Sequence, residues 1–450
     1  MLVTGRDELT RRVSRALAGR DLVWVGTRGA DVESITDIPQ LTGIASVIGK
    51  YRNRSRFRTV SLEEFTGRRV DLDTFDIDSA PRDVHIVNFR RALFRMITRE
   101  SAVFTYRPSQ LVSSVCFSRL DRCRYLGVFS SLQTAFEHKP WVESSLFARG
   151  VPNLGWVYVA DEDQMDVRQL LARGSVVLRR SRTTGGVGLA RLDDINEIEK
   201  AWPDEDEAYV SVAPYVRGGV PVNVGAVVWD DGVTLHPCSV QLIGVASLTR
   251  REFGYCGNDF GAVSQFDNQT LDVMDEYTRV IGRWLHEFGY RGAFGVDYLV
   301  VGNQVYFTEV NPRLQGSTHL SSEVMSVIDE AGIVLEHLAA TLGLEAPKSR
   351  SLRELASSIP AWSHFVVHAP IDGVDATRVN ELVKDVQTSP SFVRVDTQLE
   401  GSTTAASGAA VVRVTIGDRV TDNGSQLLAP WGERVEGWRE RLTVECGEQQ

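Results

Sequence analysis

The stretch Phe294–Gly316, FGVDYLVVGNQVYFTEVNPRLQG, constrains this chain more tightly than any other. Two apolar runs meet at a tight turn around Gly302 and Asn303, which reads as a β-hairpin. Side chains at every second position of a strand share one face, so Glu309, Asn311 and Arg313 aim at one point. The register decides what they meet. A two-residue turn sets Asp297 opposite Thr308 and sends Glu309 to the other face. A three-residue loop, Gly302 to Gln304, pairs Asp297 with Glu309, Leu299 with Phe307 and Val301 with Val305. Slipping by one residue exchanges the faces, so the two registers make different chemical claims.

The second register is preferred, because two carboxylates held close together need a compensating cation. Asp297, Glu309 and Asn311 offer hard oxygen ligands of the kind that suit Mg²⁺, which usually takes one or two carboxylates plus phosphate oxygens. Arg313 then faces an anionic ligand beyond the metal. The alternative is an ordinary amphipathic hairpin with surface charges. Against it, Glu309 is embedded in strongly apolar strands, where an unpaired charge is costly.

The 450 residues exceed one ordinary core, so two to four domains or lobes are expected. A net charge of −10 argues against a general nucleic-acid or acidic-membrane binder. No apolar run approaches the roughly 18 to 20 residues of a membrane-spanning helix. The N-terminus, MLVTGRDELTRR, is charged where a secretory signal turns apolar. Five cysteines, Cys116, Cys123, Cys238, Cys256 and Cys446, show no metal spacing and suit reduced thiols in a cytoplasmic protein. Only five of the 49 basic residues are lysines, among them Lys139 at a helix start.

Before residue 135 the pattern is mixed α/β. DELTRRVSRALAGR reads as a helix, and DLVWVG, DVHIVNF and SAVFTY read as short buried strands. Arg52, Arg54, Arg56 and Arg58 alternate in KYRNRSRFR, either as a solvated edge or as a surface for an acidic substrate. Further on, WVESSLFARG reads as a helix, and SVVLRR as a strand entering the glycine-rich turn SRTTGGVG. That turn is a plain hairpin or a nest of backbone amides for phosphate, and Arg179 and Arg180 upstream favour the second. YVSVAPYV and PVNVGAVVW are strands. LDVMDEYTRVIGRWLHEF is a helix with Val273, Tyr277, Val280, Ile281, Trp284, Leu285 and Phe288 on its buried stripe. SEVMSVIDEAGIVLEHLAATLG reads as one more helix. The glycine-rich stretch Thr249–Gly261 is either a loop at an acceptor site or a surface excursion. HFVVHA and AAVVRVTIG are strands near the C-terminus, and WGERVEGWRERL a short helix.

Taken in order, these motifs resemble the ATP-grasp superfamily of carboxylate–amine ligases and carboxylases. The likeness is tightest over 288–319 and looser over about 139–343. It implies an ATP-grasp fold of the α/β class. An N-terminal α/β domain would span 1–136 and the ATP-grasp domain 137–345, with a lid lobe about 140–212 and a metal and catalytic lobe about 213–345. A small C-terminal α+β domain would follow at 346–450. By position, the resemblance makes Asp297, Glu309 and Asn311 the Mg²⁺ ligands, for two ions, and Arg313 the arginine on the phosphate and reacting carboxyl. Lys139 and Arg179 fall at the nucleotide-phosphate positions, with arginine standing where the family has lysine. Thr184, Gly185, Gly186 and Gly188 belong to the phosphate loop, and Ala213, Pro214, Tyr215 and Val216 to the adenine linker. Arg250, Arg251, Asn258, Gln315 and Gly316 are the candidate substrate contacts.

The implied reaction activates a carboxylate with ATP and passes it to an amine through an acyl phosphate. The Arg-rich N-terminal part and the HFVVHAPIDG stretch are most similar to the pheganomycin-type peptide ligases of actinobacterial natural-product pathways. An amino-acid-like carboxylate and a peptide amine are therefore the expected substrates, which leaves a homodimer open. A biotin-carboxylase-like carboxylase and a non-catalytic ATP-binding regulator are the alternatives.

Overall fold

The computed structural model describes residues 5–49, 56–78, 83–118, 123–160, 165–202, 207–389, 391–396 and 398–443. Four sheets form among the described residues; the smallest joins Val374–Asp375, Thr404–Ala405 and Arg68–Arg69, and the other three organise the chain. In the first, five parallel strands run in the order Arg58–Ser61, Leu41–Ile48, Asp21–Arg28, Ser101–Thr105, Arg124–Leu126. The second is a four-stranded antiparallel sheet of Val157–Val159, Val210–Pro214, Val176–Thr184 and Val187–Leu192. The third has eight antiparallel strands, starting at the edge with Gln304–Asn311, then Gly292–Val301, Val220–Val228, Val233–Ile243 and Tyr255–Asp259. It continues without a break into Ser363–His368, Ala410–Ile416 and Phe392–Asp396. Among the described residues no helix is long and apolar enough to cross a membrane.

Several elements differ from the sequence reading. Residues 83–89 are not a strand: Val84–Met96 is a helix, capped by the Asp83 carboxylate, which accepts from the His85 and Ile86 amides. Its buried residues Ile86, Phe89, Leu93 and Met96 recur at helical spacing, a period that a seven-residue window cannot display. The helix expected at 322–343 is two, Thr318–Val327 and Ile333–Thr341, separated at Asp329, whose φ is 61°. The stripe on Asn268–Glu287 is wider than the expected one. Ile281, Trp284 and Leu285 are buried as expected and Val273, Tyr277 and Val280 pack half-buried beside them, but Leu271, Met274, Thr278 and Gly282 are buried too and Phe288 is 48% exposed. Nor is Thr249–Gly261 a loop throughout, since Tyr255–Asp259 forms an interior strand of the large sheet.

The hairpin register needs the most instructive correction. The turn has two residues: Val301 pairs with Gln304, Val300 with Val305, Leu299 with Tyr306 and Tyr298 with Phe307. The expected Leu299–Phe307 and Val301–Val305 pairs do not form. A bulge then shifts the ladder by one, so that Asp297 pairs with Glu309 and Gly295 with Asn311. The extra residue is Thr308, whose hydroxyl donates to the Asp297 carbonyl at 2.9 Å. Bulges of this kind re-aim side chains beside functional sites.

Of the arginine run, Arg52 and Arg54 lie outside the described residues. Arg56 and Arg58 are exposed, and Arg58 opens the edge strand 3.9 Å from Asp21. Cys238 and Cys256 are free and buried, Cys116 is buried and Cys123 half-buried; Cys446 lies outside the described residues.

Candidate functional site

A cavity of about 410 Å³ opens where the three sheets meet. The bulged hairpin supplies its floor with Asp297, Glu309, Asn311 and Arg313. Asn311 Nδ2 donates to Asp297 Oδ2 and to Glu309 Oε1, at 3.1 Å each, so the three side chains converge. Asn223 Nδ2 and Gln241 Nε2 donate to Asp297 Oδ1 at 2.7 and 3.2 Å. Lys139, 6% exposed at the start of the helix Lys139–Phe147, meets Glu309 Oε2 at 2.7 Å.

These contacts set the charge of the pair. Burial, and then the Glu309 charge, raise Asp297 well above the ordinary carboxylate range. Burial alone would raise Glu309 too, but the Lys139 ammonium outweighs it and brings Glu309 down to about 2. The Lys139 ammonium thus balances one carboxylate and leaves the other buried against a like charge. A divalent cation satisfies such a donor set, and the hard oxygens of two carboxylates and an amide fit Mg²⁺. Ligation through the Asn311 oxygen requires a half-turn of its amide, because Oδ1 now accepts from Arg313 at 3.1 Å. Arg313 also reaches Glu137, at 3.3 Å.

The phosphate-side candidates divide. Arg179 lines the cavity, but its guanidinium pairs with the buried Glu143, donates to the Thr308 carbonyl at 3.1 Å and lies 3.6 Å over the Trp156 ring. The bulge thus leaves a strand carbonyl free for this arginine. Thr184, Gly185 and Gly186 form the tip of the hairpin Val176–Leu192 and line the cavity, whereas Gly188 lies in the returning strand, off it. Both tip glycines have positive φ, at 56° and 79°. A Cβ on Gly185 would collide with the Asp73 carboxylate, and one on Gly186 with the Phe253 carbonyl. The loop is therefore docked on the N-terminal part of the chain as well as over the cavity.

Pro214, Tyr215 and Val216 line the cavity, and Ala213 is buried behind them. Asn258, Gln315 and Gly316 also line it. Arg251 does not: it is paired with Asp71 and, at 3.0 Å, with Asp73. Arg250 lies away from the cavity and donates to the Pro370 carbonyl at 2.8 Å. Thr27, Arg28, Tyr106 and Arg107 line the cavity, and the sequence reading missed them. Their signal is position, since they follow or end adjacent parallel strands at the C-terminal edge where open α/β sheets bind ligands. Asn223 was legible too, as one amide within an otherwise apolar strand.

Residues 167–317 match the family model for the ATP-grasp domain. Over 188 residues the chain is 26% identical to the formate-dependent phosphoribosylglycinamide formyltransferase of Pseudomonas fluorescens. That match covers 41% of this chain and 44% of the enzyme, so the chain spans less than half the length of this curated relative. Two solved structures are similar throughout. The biotin carboxylase–β,γ-ATP complex of Campylobacter jejuni superposes with a TM-score of 0.61 at 14% identity, covering 90% of this chain and 89% of that one. The N5-carboxyaminoimidazole synthetase of Staphylococcus aureus complexed with ADP gives 0.57 at 11%, covering 94% and 97%. The architecture is the ATP-grasp fold, with an N-terminal α/β part and C-terminal strands joined to its large sheet.

Proposed function

We propose that this chain is an ATP-dependent carboxylate–amine ligase that uses ATP and two Mg²⁺ ions. The observation that carries the reading is the convergence of Asp297, Glu309, Asn311 and Arg313 with Lys139 on one cavity. Mg²⁺ held by Asp297, Glu309 and Asn311 would neutralise charge on the nucleotide phosphates. Lys139 and the amides of Thr184 to Gly186 hold the phosphates, Arg179 keeps the wall of that site in place, and Pro214 to Val216 receive the base. A substrate carboxylate oxygen attacks the γ-phosphorus, the bond to the β-phosphate oxygen breaks, and ADP leaves. The amine nitrogen then attacks the acyl carbon of the acyl phosphate, inorganic phosphate departs and the nitrogen loses a proton. Arg313 stabilises negative charge on the carboxyl in both steps.

The finer reading is that the carboxylate is amino-acid-like and the amine belongs to a peptide, as in the natural-product ligases. The resemblance of the Arg-rich N-terminal part and of the HFVVHAPIDG stretch supports it. The formyltransferase, which by its name works with formate, favours a smaller carboxylate as the competing reading. A pairwise screen of amino acids and peptides for ADP release and product mass decides between them. Bicarbonate with biotin as the sole active pair would refute the ligase. Arg313→Ala is expected to bind ATP normally while ADP release falls by roughly 10²–10³; unchanged turnover would remove Arg313 from the chemistry.

A further inference from the structure

Charges on the cavity wall are matched almost everywhere. Lys139 is paired with Glu309, Arg179 with Glu143, and Arg313 with Glu137. Asp73, also on the wall, is held by Arg251. Arg107 has no such partner: among the described residues it makes no ion pair or hydrogen bond, and its Nε is buried and unsatisfied. Among the described residues Arg28 pairs only with Asp31, at 3.9 Å, and that carboxylate already accepts from Arg413 at 3.1 Å. Arg28 ends the strand Asp21–Arg28, and Arg107 lies two residues beyond the neighbouring strand Ser101–Thr105, which pairs with it through Val25 and Thr105. Both therefore leave the sheet at one edge. The Tyr106 hydroxyl, which donates to the Gln315 carbonyl, is pushed up to about 12 by burial and then by the Asp31 charge, against the charges of Arg28, Arg107 and Arg313. Burial, and then the charge of Arg313, lower Arg107 to about 10, so it remains a cation at neutral pH.

Arg107 is half-buried on the cavity wall with its Nε buried and unsatisfied, and an anion supplied by a ligand in the cavity would complete the pairing of its guanidinium. Arg313 is already assigned to the reacting carboxyl, and the phosphate-side groups belong to the hairpin and lid rather than to this sheet. We propose that Arg107, assisted by Arg28, binds a second anionic group on the carboxylate substrate, apart from the carboxyl that is activated. The substrate is then a dianion, such as a dicarboxylic acid or a phosphorylated carboxylic acid. This assignment rests on the ligase reading above and narrows it.

The test is calorimetry on the full chain with Mg²⁺ and a non-hydrolysable ATP analogue present, titrating glutarate, 4-phosphonobutyrate and the monoanion butyrate. Glutarate or phosphonobutyrate should bind at least tenfold tighter than butyrate, and the better of the two identifies the second group. Arg107→Met should erase that preference, and Arg107→Lys should keep part of it. Affinity for the analogue should stay unchanged in both variants. Should Arg107→Met fail to fold, Arg28→Gln carries the same comparison. Equal binding of mono- and dianions, no binding of any of the three, or weakened analogue binding in the Arg107 variants would overturn the subsite. If the analogue itself does not bind wild-type protein, the ATP-dependent reading fails instead.

Discussion

A Cβ on Gly292 would strike the ring of His337, so the imidazole sits directly against the backbone at the start of the strand that carries Asp297. Its Nδ1 accepts from the Ala293 amide at 2.8 Å, and the ring packs 5.2 Å from Phe104 of the parallel sheet. One neutral histidine thus ties helix, hairpin and N-terminal sheet together. Burial lowers its pKa to about 4, below the unfolded value near 6.5. The folded state binds fewer protons, so His337's contribution is complete above pH 6.5 and is lost as pH falls from there through 4. Between pH 7.5 and pH 5 the loss is about 2 kcal/mol. Urea unfolding at the two pH values should show the wild type losing that much more stability than His337→Gln. An equal loss would mean that another group carries the dependence. The buried His319 and His364, also lowered, act in the same direction in both proteins.

Among the elements, the hairpin shows most clearly what could be read in advance. Its strands, the place of its turn and the facing of Asp297 and Glu309 were legible from alternation and from the cost of a lone carboxylate among apolar residues, whereas the length of the turn was not. Thr308 was not, because a bulge leaves no mark on a pattern of alternating residues that two different registers satisfy almost equally well. The same limit hid the strand Tyr255–Asp259: a five-residue segment buried on both faces shows no alternation, and its glycine and polar side chains read as a loop. The helix Val84–Met96 needed more residues than its β-branched start supplies. Arg28 and Arg107 were signalled only by their place at the ends of parallel strands, since they meet the hairpin through the folding of distant segments. Deleting Thr308 should restore an unbroken ladder that keeps Asp297 opposite Glu309 while removing the carbonyl to which Arg179 donates. Mn²⁺ binding, followed by electron paramagnetic resonance, should then persist in a folded protein. Its loss would show that the bulge, and not the facing of the two strands alone, sets the carboxylate pair.

At the scale of the whole molecule, parts distant in sequence are held together at the tip of the glycine loop. Gly185 rests on Asp73, which Arg251 fixes, and Gly186 rests on the Phe253 carbonyl. The two positions should respond differently. Gly185→Ala adds left-handed strain of about 1–2 kcal/mol and a side-chain clash, so affinity for an ATP analogue should fall by about tenfold or more. Asp73→Ala should recover part of that loss. Gly186→Ala meets a backbone carbonyl, so its defect should be larger and no side-chain truncation should relieve it. Equal rescue of both by Asp73→Ala would contradict the docked geometry. The docking has a further consequence for timing. A loop seated over the cavity between two walls must lift before spent nucleotide can leave, and lifting displaces solvent. If the proposed reaction is completed under the seated loop, kcat should fall in proportion to the viscosity of added sucrose, whichever carboxylate is used. Chemistry limited at the acyl carbon would leave kcat indifferent to it.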